Sequence, residues 1–173
     1  MKWNGKLILI LVFLYSCSAE KETKPAPSIY SIIPLPQELT KKPNCFILNN
    51  QTLIYSDSSL KESTLNIIKL IKNKFNLTLN HSSSKRKNNC IIISQSTNKK
   101  EDYYQLNISE ELITINTAGK SGLFYAIQTI SQLIELNNFY ENDHLKIPSV
   151  KINDWSKFRH RGMLLDCCRH FFN

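Results

Sequence analysis

The side chains best suited to chemistry lie near the carboxyl end of the chain, where Asp166 precedes Cys167-Cys168-Arg169-His170. Thiolate, imidazole and carboxylate groups are common metal ligands. Adjacent residues of a strand point to opposite faces, however, so the two cysteines would not bind one ion together. We expect no metal here and interpret the cysteines as buried thiols. In an exported protein a disulfide bond is also possible. The four cysteines outside the leader, Cys45, Cys90, Cys167 and Cys168, allow three pairings.

Two other groups of neighbouring carboxylates occur, Glu110-Glu111 and the pair Glu141 and Asp143. Positioned carboxylates can serve as general acids and bases. Glu110-Glu111, however, separates two stretches of alternating apolar and polar residues, a pattern typical of a turn in a hairpin. We interpret these two glutamates as solvated, and we assign no catalytic role to either group.

The composition predicts one folded domain of ordinary size. The chain has 173 residues, of which 42% are hydrophobic and 21% charged, so it can bury a core. Its formal net charge is +8. The lysines and arginines are interspersed with Asn and Ser, which favours a solvated basic surface over a nucleic-acid site. We expect no nucleic acid as a partner, because the amino terminus also carries an export signal.

That signal occupies residues 1–16. Lys2 and Lys6 precede nine consecutive apolar residues at 7–15, a run too short to span a bilayer and typical of a secretory signal. Leu14-Tyr15-Ser16-Cys17 resembles the lipobox of bacterial lipoproteins, in which the cysteine is lipidated. The resemblance predicts lipid attachment at Cys17, a flexible tether over residues 17–28, and a periplasmic or cell-surface membrane location. An ordinary signal peptide with an incidental cysteine is the alternative.

The hydrophobic patterns of residues 29–150 predict a small sheet with helices on one face, an α+β fold. Short strands are expected at 45–48 and 52–55 as a hairpin, at 91–94, and at 104–109 and 112–117 as a second hairpin. Helices are expected from Ser59, where Ser59 and Glu62 have capping-box spacing, and over 121–136. The apolar stripes of the two helices are Leu60, Thr64, Ile67, Ile68, Ile71 and Phe75, and Leu123, Ala126, Ile127, Ile130, Leu133 and Ile134.

The segment from Arg161-Gly162 through Asp166 to Arg169-His170-Phe171 resembles the first barrel strand of the family-twenty glycoside hydrolases, the β-N-acetylhexosaminidases. The lead-in Ile152-x-Asp154, with Phe158 shortly before Arg161, also fits. Ile33-Pro34-Leu35-Pro36 resembles the opening of that family's amino-terminal domain, and residues 125–133 resemble its last helix. The resemblance implies that residues 29–150 are this α+β domain and that residues 151–173 begin a (β/α)₈ catalytic barrel, which is truncated here.

The resemblance also implies an activity. The family removes terminal β-linked N-acetylhexosamine from glycans with retention, and the acetamido oxygen of the substrate is the nucleophile. An Asp-Glu pair after the fourth barrel strand assists this reaction: the glutamate is the general acid and base, and the aspartate orients the acetamido group. That pair lies beyond this chain, so no catalytic residue is expected within it and the chain alone is expected to be inactive. No cofactor is implied.

One family site residue carries over by position. Arg169 matches the family's sugar-binding arginine, and a guanidinium at the carboxyl end of a barrel strand can donate to two neighbouring hydroxyls. The resemblance gives Asp166 and His170 supporting roles beside Arg169. The alternative for the whole chain is a lipid-anchored, non-catalytic module that binds a glycan or a partner protein, with Tyr103-Tyr104 and Phe139-Tyr140 as its candidate aromatic residues.

Overall fold

The computed structural model describes residues 30–97, 100–137, 140–141 and 144–158, together with His160 and Gly162. These residues form one mixed sheet of eight strands with two α-helices packed on one face. The strands are β1 (Glu38–Leu48), β2 (Leu53–Ser56), β3 (Asn80–His81), β4 (Cys90–Gln95), β5 (Tyr104–Ile108), β6 (Leu112–Thr117), β7 (Tyr140–Glu141) and β8 (His144–Asp154). The helices are α1 (Lys61–Phe75), which follows a short 3-10 helix at Ser58–Leu60, and α2 (Lys120–Asn137). This arrangement confirms the predicted α+β fold.

The sheet has an antiparallel half and a parallel half. Its strand order is β1-β8-β5-β6-β4-β2-β3, and β7 adds to β8. The pairs from β1 to β6 along this order are antiparallel, whereas β6, β4, β2 and β3 run parallel to one another.

The core lies between the helices and one face of the sheet. On β5 and β6 every second residue is fully buried, and Leu106 pairs with Ile115 as Ile108 pairs with Ile113. The predicted stripe of α2 is buried along its whole length, and α1 buries its stripe except for Ile68, which is partly buried. Helix α1 ends at Phe75, and the next residue, Asn76, has a left-handed backbone conformation that terminates it. The N–H of Asn76 still donates to the Lys72 carbonyl at 2.9 Å.

The opposite face of the sheet is open and polar. A row of amide side chains crosses β6, β5 and β8. The Nδ2 of Asn116 donates to the Oε1 of Gln105 at 3.2 Å, and the Nε2 of Gln105 donates to the Oδ1 of Asn153 at 2.9 Å. Asn153 in turn donates to the Glu38 carboxylate on β1 at 2.6 Å. This amide row links four strands and fixes their register on the side that the helices leave uncovered.

Two local predictions about the first half of the domain are wrong. The stretches at 45–48 and 52–55 are both strands, but they do not pair. β1 pairs with β8, and β2 pairs in parallel with β3 and β4. The capping box at Ser59 and Glu62 does not form either. Ser59 lies in the 3-10 helix and its hydroxyl donates to Gln95 at 2.6 Å, and no side chain caps α1 at its Leu60 N-cap.

Like the short strands β3 and β7, the long strand β8 was not predicted by the patterns. It lies between β1 and β5 and contains Pro148, which has no N–H to donate to a neighbouring strand. The register with β1 shifts at this point, because Lys41 pairs with Val150 while Cys45 pairs with Pro148. Asn44 has a positive φ of 71° inside the irregularity. The bulge in β1 therefore accommodates the proline within the sheet. No described helix is long and apolar enough to span a bilayer.

Helix α2 approaches β5 so closely that Gly122 is required at its first turn. A Cβ added at Gly122 would overlap the Tyr103 carbonyl oxygen and would lie 2.5 Å from the hydroxyl of Thr117. Gly119, just before the helix, has ample space, since an added Cβ would lie 3.7 Å from the nearest heavy atom, a backbone oxygen of Glu101.

We therefore expect Gly122→Ala to lower the free energy of unfolding of the 173-residue chain by about 2–3 kcal/mol, because backbone atoms of β5 must move to admit the methyl group. Urea denaturation followed by circular dichroism measures this change. Gly119→Ala is the matched control, and we expect it to change stability by less than about 1 kcal/mol. Equal effects of the two substitutions would show that α2 can shift away from β5 without cost.

Candidate functional site

All the side chains predicted to bind sugar or lipid lie outside the described residues. These are Asp166, Arg169 and His170 at the carboxyl end and Cys17 at the amino end, and their roles stay predictions. Cys167, Cys168 and Phe139 also lie outside. Of the described cysteines, both are free: Cys90 is fully buried, and its burial raises the pKa of the thiol, whereas Cys45 is half-buried. The prediction of a buried thiol is thus confirmed for Cys90.

Three segments that carry the family resemblance meet at one cavity of about 340 Å³, here called the junction cavity. The segment around Ile33-Pro34-Leu35 forms one wall. The middle of α2 forms a second wall through Tyr125, Gln128, Thr129 and Gln132. The third wall is the chain from Asp154 to Phe158, directly after β8. The resemblance indicated each of these segments separately, and the fold brings them together over about a hundred residues of sequence.

Gln132 joins the first wall to the second. Its side-chain amide donates to the Ile33 carbonyl and its carbonyl oxygen accepts the Ile33 N–H, each at 2.8 Å. An amide side chain that satisfies both backbone groups of one residue imitates one step of a sheet. The segment at 33–36 has no regular secondary structure, so this paired contact holds it against α2. Apart from the presence of both motifs, no pattern in the sequence predicts this contact.

Two carboxylates hold the third wall in place. Asp154 accepts the backbone N–H of Gln37 at 3.1 Å, and Asp102 accepts the backbone N–H of Ser156 at 3.1 Å. Asp154 therefore positions the backbone just before β1, and Asp102 positions the backbone just after β8. The arrangement positions backbone segments at the edge of this cavity.

The inner end of the cavity is closed by Tyr104 and Thr129. Tyr104 is 1% exposed, and its hydroxyl lies 2.7 Å from the Thr129 hydroxyl on α2. Burial raises the pKa of the Tyr104 phenol well above its usual value, and the nearby charge of Asp154 adds to the increase. Tyr104 therefore stays protonated and serves as a hydrogen-bonded link between β5 and α2.

The outer rim of the cavity is apolar and exposed. Ile33 is 79% exposed, Leu35 is 77% exposed and Phe158 is 66% exposed, and all three line the junction cavity. We call these three side chains the apolar rim. Their exposure contrasts with the polar groups behind them, which are paired with backbone atoms.

The aromatic residues proposed for a binding module have different positions. Tyr104 is buried and cannot stack on a sugar. Tyr103 is half-buried and its ring stacks on that of Trp155, with centroids 6.4 Å apart and an angle of 28° between the planes. The Lys100 ammonium lies 4.7 Å from the centre of the Trp155 ring.

Comparison with known proteins identifies the segment that forms this fold. A sequence model described as "Glycosyl hydrolase family 20, domain 2" matches residues 29–155. The chain is 31% identical over 183 aligned positions to a β-hexosaminidase of Porphyromonas gingivalis, which covers 98% of this chain and 23% of that protein. It is also 31% identical over 81 positions to a β-hexosaminidase of Vibrio furnissii, covering 47% of this chain and 13% of that protein. The chain thus spans less than a quarter of the length of these curated relatives.

Solved structures agree with the fold. A family-20 exo-β-N-acetylglucosaminidase of Vibrio harveyi, solved in complex with N-acetylglucosamine, superposes with a TM-score of 0.71 at 26% identity, covering 87% of this chain and 23% of that one. An N-acetyl-β-hexosaminidase of Streptomyces plicatus superposes with a TM-score of 0.68 over 87% of this chain and 31% of that one. Its identity of 19% supports the similarity of fold alone.

We expect Gln132→Ala to release the segment at 33–36 from α2, because both hydrogen bonds to the Ile33 backbone are lost. The stability of the domain should fall by about 1–2 kcal/mol, and the amide of Ile33 should exchange with solvent faster. Hydrogen exchange of the 173-residue chain, read by mass spectrometry, measures the local change. Gln128→Ala on the same helix is the control, since Ile33 uses Gln132 as its partner. Unchanged exchange at Ile33 would contradict the importance of this contact.

Proposed function

The chain belongs to glycosyl hydrolase family 20, and on that basis we propose that it is the amino-terminal part of an exported β-N-acetylhexosaminidase. The observation that carries the proposal is the match of residues 29–155 to the family's domain 2, within a chain that aligns to less than a quarter of the Porphyromonas gingivalis relative. The substrate proposed is a glycan that ends in a β-linked N-acetylhexosamine, and the reaction is its hydrolysis with retention of configuration.

The proposed chemistry follows the family's substrate-assisted scheme. The acetamido oxygen of the substrate attacks the anomeric carbon and displaces the glycosidic oxygen, which a glutamic acid protonates. Water then opens the resulting charged ring, with the same glutamate as base. An aspartate beside it orients the acetamido group. Both acids belong to the barrel beyond this chain, and the scheme requires no metal or cofactor.

Within this chain, the proposed contribution to the sugar site comes from residues 166–170. Arg169 would donate hydrogen bonds from its guanidinium fork to hydroxyls of the terminal sugar. Asp166 would hold that guanidinium in place, and His170 would support the same strand end. The described domain has a different part in the proposal. It is a scaffold whose last strand, β8, ends at Asp154, ahead of this segment in the chain.

The proposal places the protein at a bacterial membrane. Residues 1–16 would direct export, and Cys17 would carry the lipid that holds the protein at the periplasmic or cell-surface side. The support comes from the sequence: a basic start, nine apolar residues, and a cysteine preceded by Leu14-Tyr15-Ser16. Stable anchoring needs more than one acyl chain, which lipidation of such a cysteine supplies.

A second candidate function is a lipid-anchored module that binds glycans without cleaving them. The stacked rings of Tyr103 and Trp155, together with the amide row on the open face, are the observations in its favour. Aromatic faces and amide groups suit the apolar faces and hydroxyls of sugars. This candidate explains less of the chain, because it leaves the segment at 161–171 without a role.

We expect the 173-residue chain to show no hydrolysis of a chromogenic β-N-acetylglucosaminide. We also expect the native product, detected by antibodies against the domain, to be several times heavier than 20.1 kDa.

In that longer product, Arg169→Ala should reduce kcat/KM by roughly 10- to 100-fold, since a charged hydrogen bond to substrate contributes about 1.5–3 kcal/mol. Arg169→Lys should retain part of the activity. Ile47→Thr, on the far face of the sheet, is the control and should leave activity unchanged.

Two results would contradict the proposal. Turnover by the 173-residue chain that Arg169→Ala abolishes would show that the catalytic groups are within it. A native product near 20 kDa in the membrane fraction that binds a glycan saturably, and loses this binding on Trp155→Ala, would instead favour the binding module.

A further inference from the structure

Four lysines lie close together where the edge strand β1 meets β8. Lys41 and Lys42 belong to β1, and Lys146 and Lys151 belong to β8. The ammonium of Lys42 donates to the Oδ1 of Asn107 at 2.7 Å, and Asn107 pairs in register with Lys151. We call these four lysines the basic edge, because β1 is the outermost strand on this side of the described sheet.

The carboxylates of the same two strands lie at one end of them. β1 and β8 together carry four lysines and two carboxylates, and the carboxylates are those of Glu38 and Asp154. Glu38 accepts a hydrogen bond from Asn153, next to Asp154, so the two acidic groups lie together, away from the bulge. One further carboxylate, that of Glu110, accepts a hydrogen bond from Asn44 at 3.1 Å. The basic edge is therefore a surface of net positive charge, which attracts anions.

The described chain enters the domain at this same edge. Tyr30 is the first described residue, and its hydroxyl donates to the Ser149 carbonyl at 3.1 Å and lies 3.4 Å from the Lys42 carbonyl oxygen. The Lys41 ammonium lies 5.5 Å from the centre of the Tyr30 ring. The residues that connect the domain to the proposed lipid on Cys17 therefore reach it beside the basic edge.

The distance that those residues can bridge is limited. Even fully extended, the chain from Cys17 to Tyr30 spans at most about 45 Å. A domain of this size is roughly 35 Å across. A lipid on Cys17 would therefore keep the basic edge within about one domain diameter of the bilayer. Attachment at so short a distance gives a high effective concentration, so a weak attraction is enough to hold the two surfaces together.

We infer that the basic edge is the surface with which the lipid-anchored protein docks on the anionic headgroups of its membrane. This inference rests on the proposed function, and within it on the membrane location. Each lysine near an anionic bilayer favours the bound state by about fivefold, and the attraction acts over about one Debye length. In the docked protein the edge formed by β1 and β8 faces the bilayer. The parallel half of the sheet, at the other edge, is held away from it.

Hydrogen exchange of the lipidated native product, read by mass spectrometry, tests the inference. The product is inserted through its anchor into vesicles of phosphatidylcholine, either alone or mixed with an equal share of phosphatidylglycerol. On the anionic vesicles the amides of residues 40–44 should exchange at least about fivefold more slowly, because docking covers the outer side of β1. The difference should disappear in about 1 M salt, where the Debye length falls to about 3 Å.

Two double variants with the same change in charge show whether the position of the lysines matters. Lys41→Gln/Lys151→Gln should lose most of the slowing on anionic vesicles and should exchange like the wild type on neutral ones. Lys42 is left in place because its ammonium is bonded to Asn107 within the sheet. Lys69→Gln/Lys72→Gln is the matched control, since both lysines are exposed on α1, and it should retain the slowing.

The remaining outcomes separate this inference from the proposed function. Equal exchange on both kinds of vesicle, with the protein still attached, would overturn docking alone. Equal losses in the two double variants would show an attraction without a specific surface and would also overturn it. Slowing by soluble dextran sulfate on neutral vesicles, with none from phosphatidylglycerol, would identify an anionic glycan as the partner instead. A product without lipid at Cys17 would overturn the membrane location and this inference together. Hexosaminidase activity, measured on the same samples, tests the proposed reaction independently.

Discussion

The close approach of α2 to β5 is the constraint on which the rest of the domain depends. At Gly122 there is no room for a side chain between the helix and the Tyr103 carbonyl. This contact sets the depth at which the buried stripe of α2 meets Leu106, Ile108 and their partners on β6. It also sets the distance from the sheet of two other residues of α2. One is Thr129, whose hydroxyl contacts that of Tyr104, and the other is Gln132, which bonds to the backbone of Ile33. The junction cavity thus inherits its geometry from the packing of one helix on one strand.

The two faces of the sheet differ in composition and in what they contribute to the fold. The face under the helices is built from isoleucine and leucine, and its burial supplies most of the stabilisation of a domain of this size. The open face is built from asparagine and glutamine, whose side chains bond to one another across four strands. A net of amides adds little to stability because water competes for each bond. It does restrict register, since a slip of one residue would place Gln105 and Asn153 under the helices.

The parts of the fold that could be predicted from the sequence are those governed by local periodicity. Both helices appear where their stripes predicted them, and β5 and β6 pair around Glu110-Glu111 as expected. The first hairpin failed because a turn does not determine which strands pair. Asn49 does form a local turn, accepting the Gln51 N–H at 2.9 Å, but β1 and β2 separate after it. β1 instead pairs with β8, about a hundred residues later, across a bulge that accommodates Pro148. A proline in a strand argues against a position between two neighbours. At Pro148, however, β8 pairs with β1 alone, because its pairing with β5 covers Val150 to Asp154.

The candidate site shows the same difference between local patterns, which could be predicted, and long-range contacts, which could not. The motifs at 33–36, 125–133 and 152–158 could each be read from the sequence through their resemblance to a family, but their meeting at one cavity could not. That meeting depends on β8, which local patterns did not predict, because β8 ends at Asp154 and the chain after it brings Phe158 to the same cavity as the segment at 33–36. The shared cavity gives the three motifs a common structural role. Gln132 orders the segment, Asp154 and Asp102 fix the chain beside it, and the apolar side chains are left pointing outward. Residues that resemble those of a glycoside hydrolase family therefore serve, in the described domain, to build a surface beside the chain that follows β8.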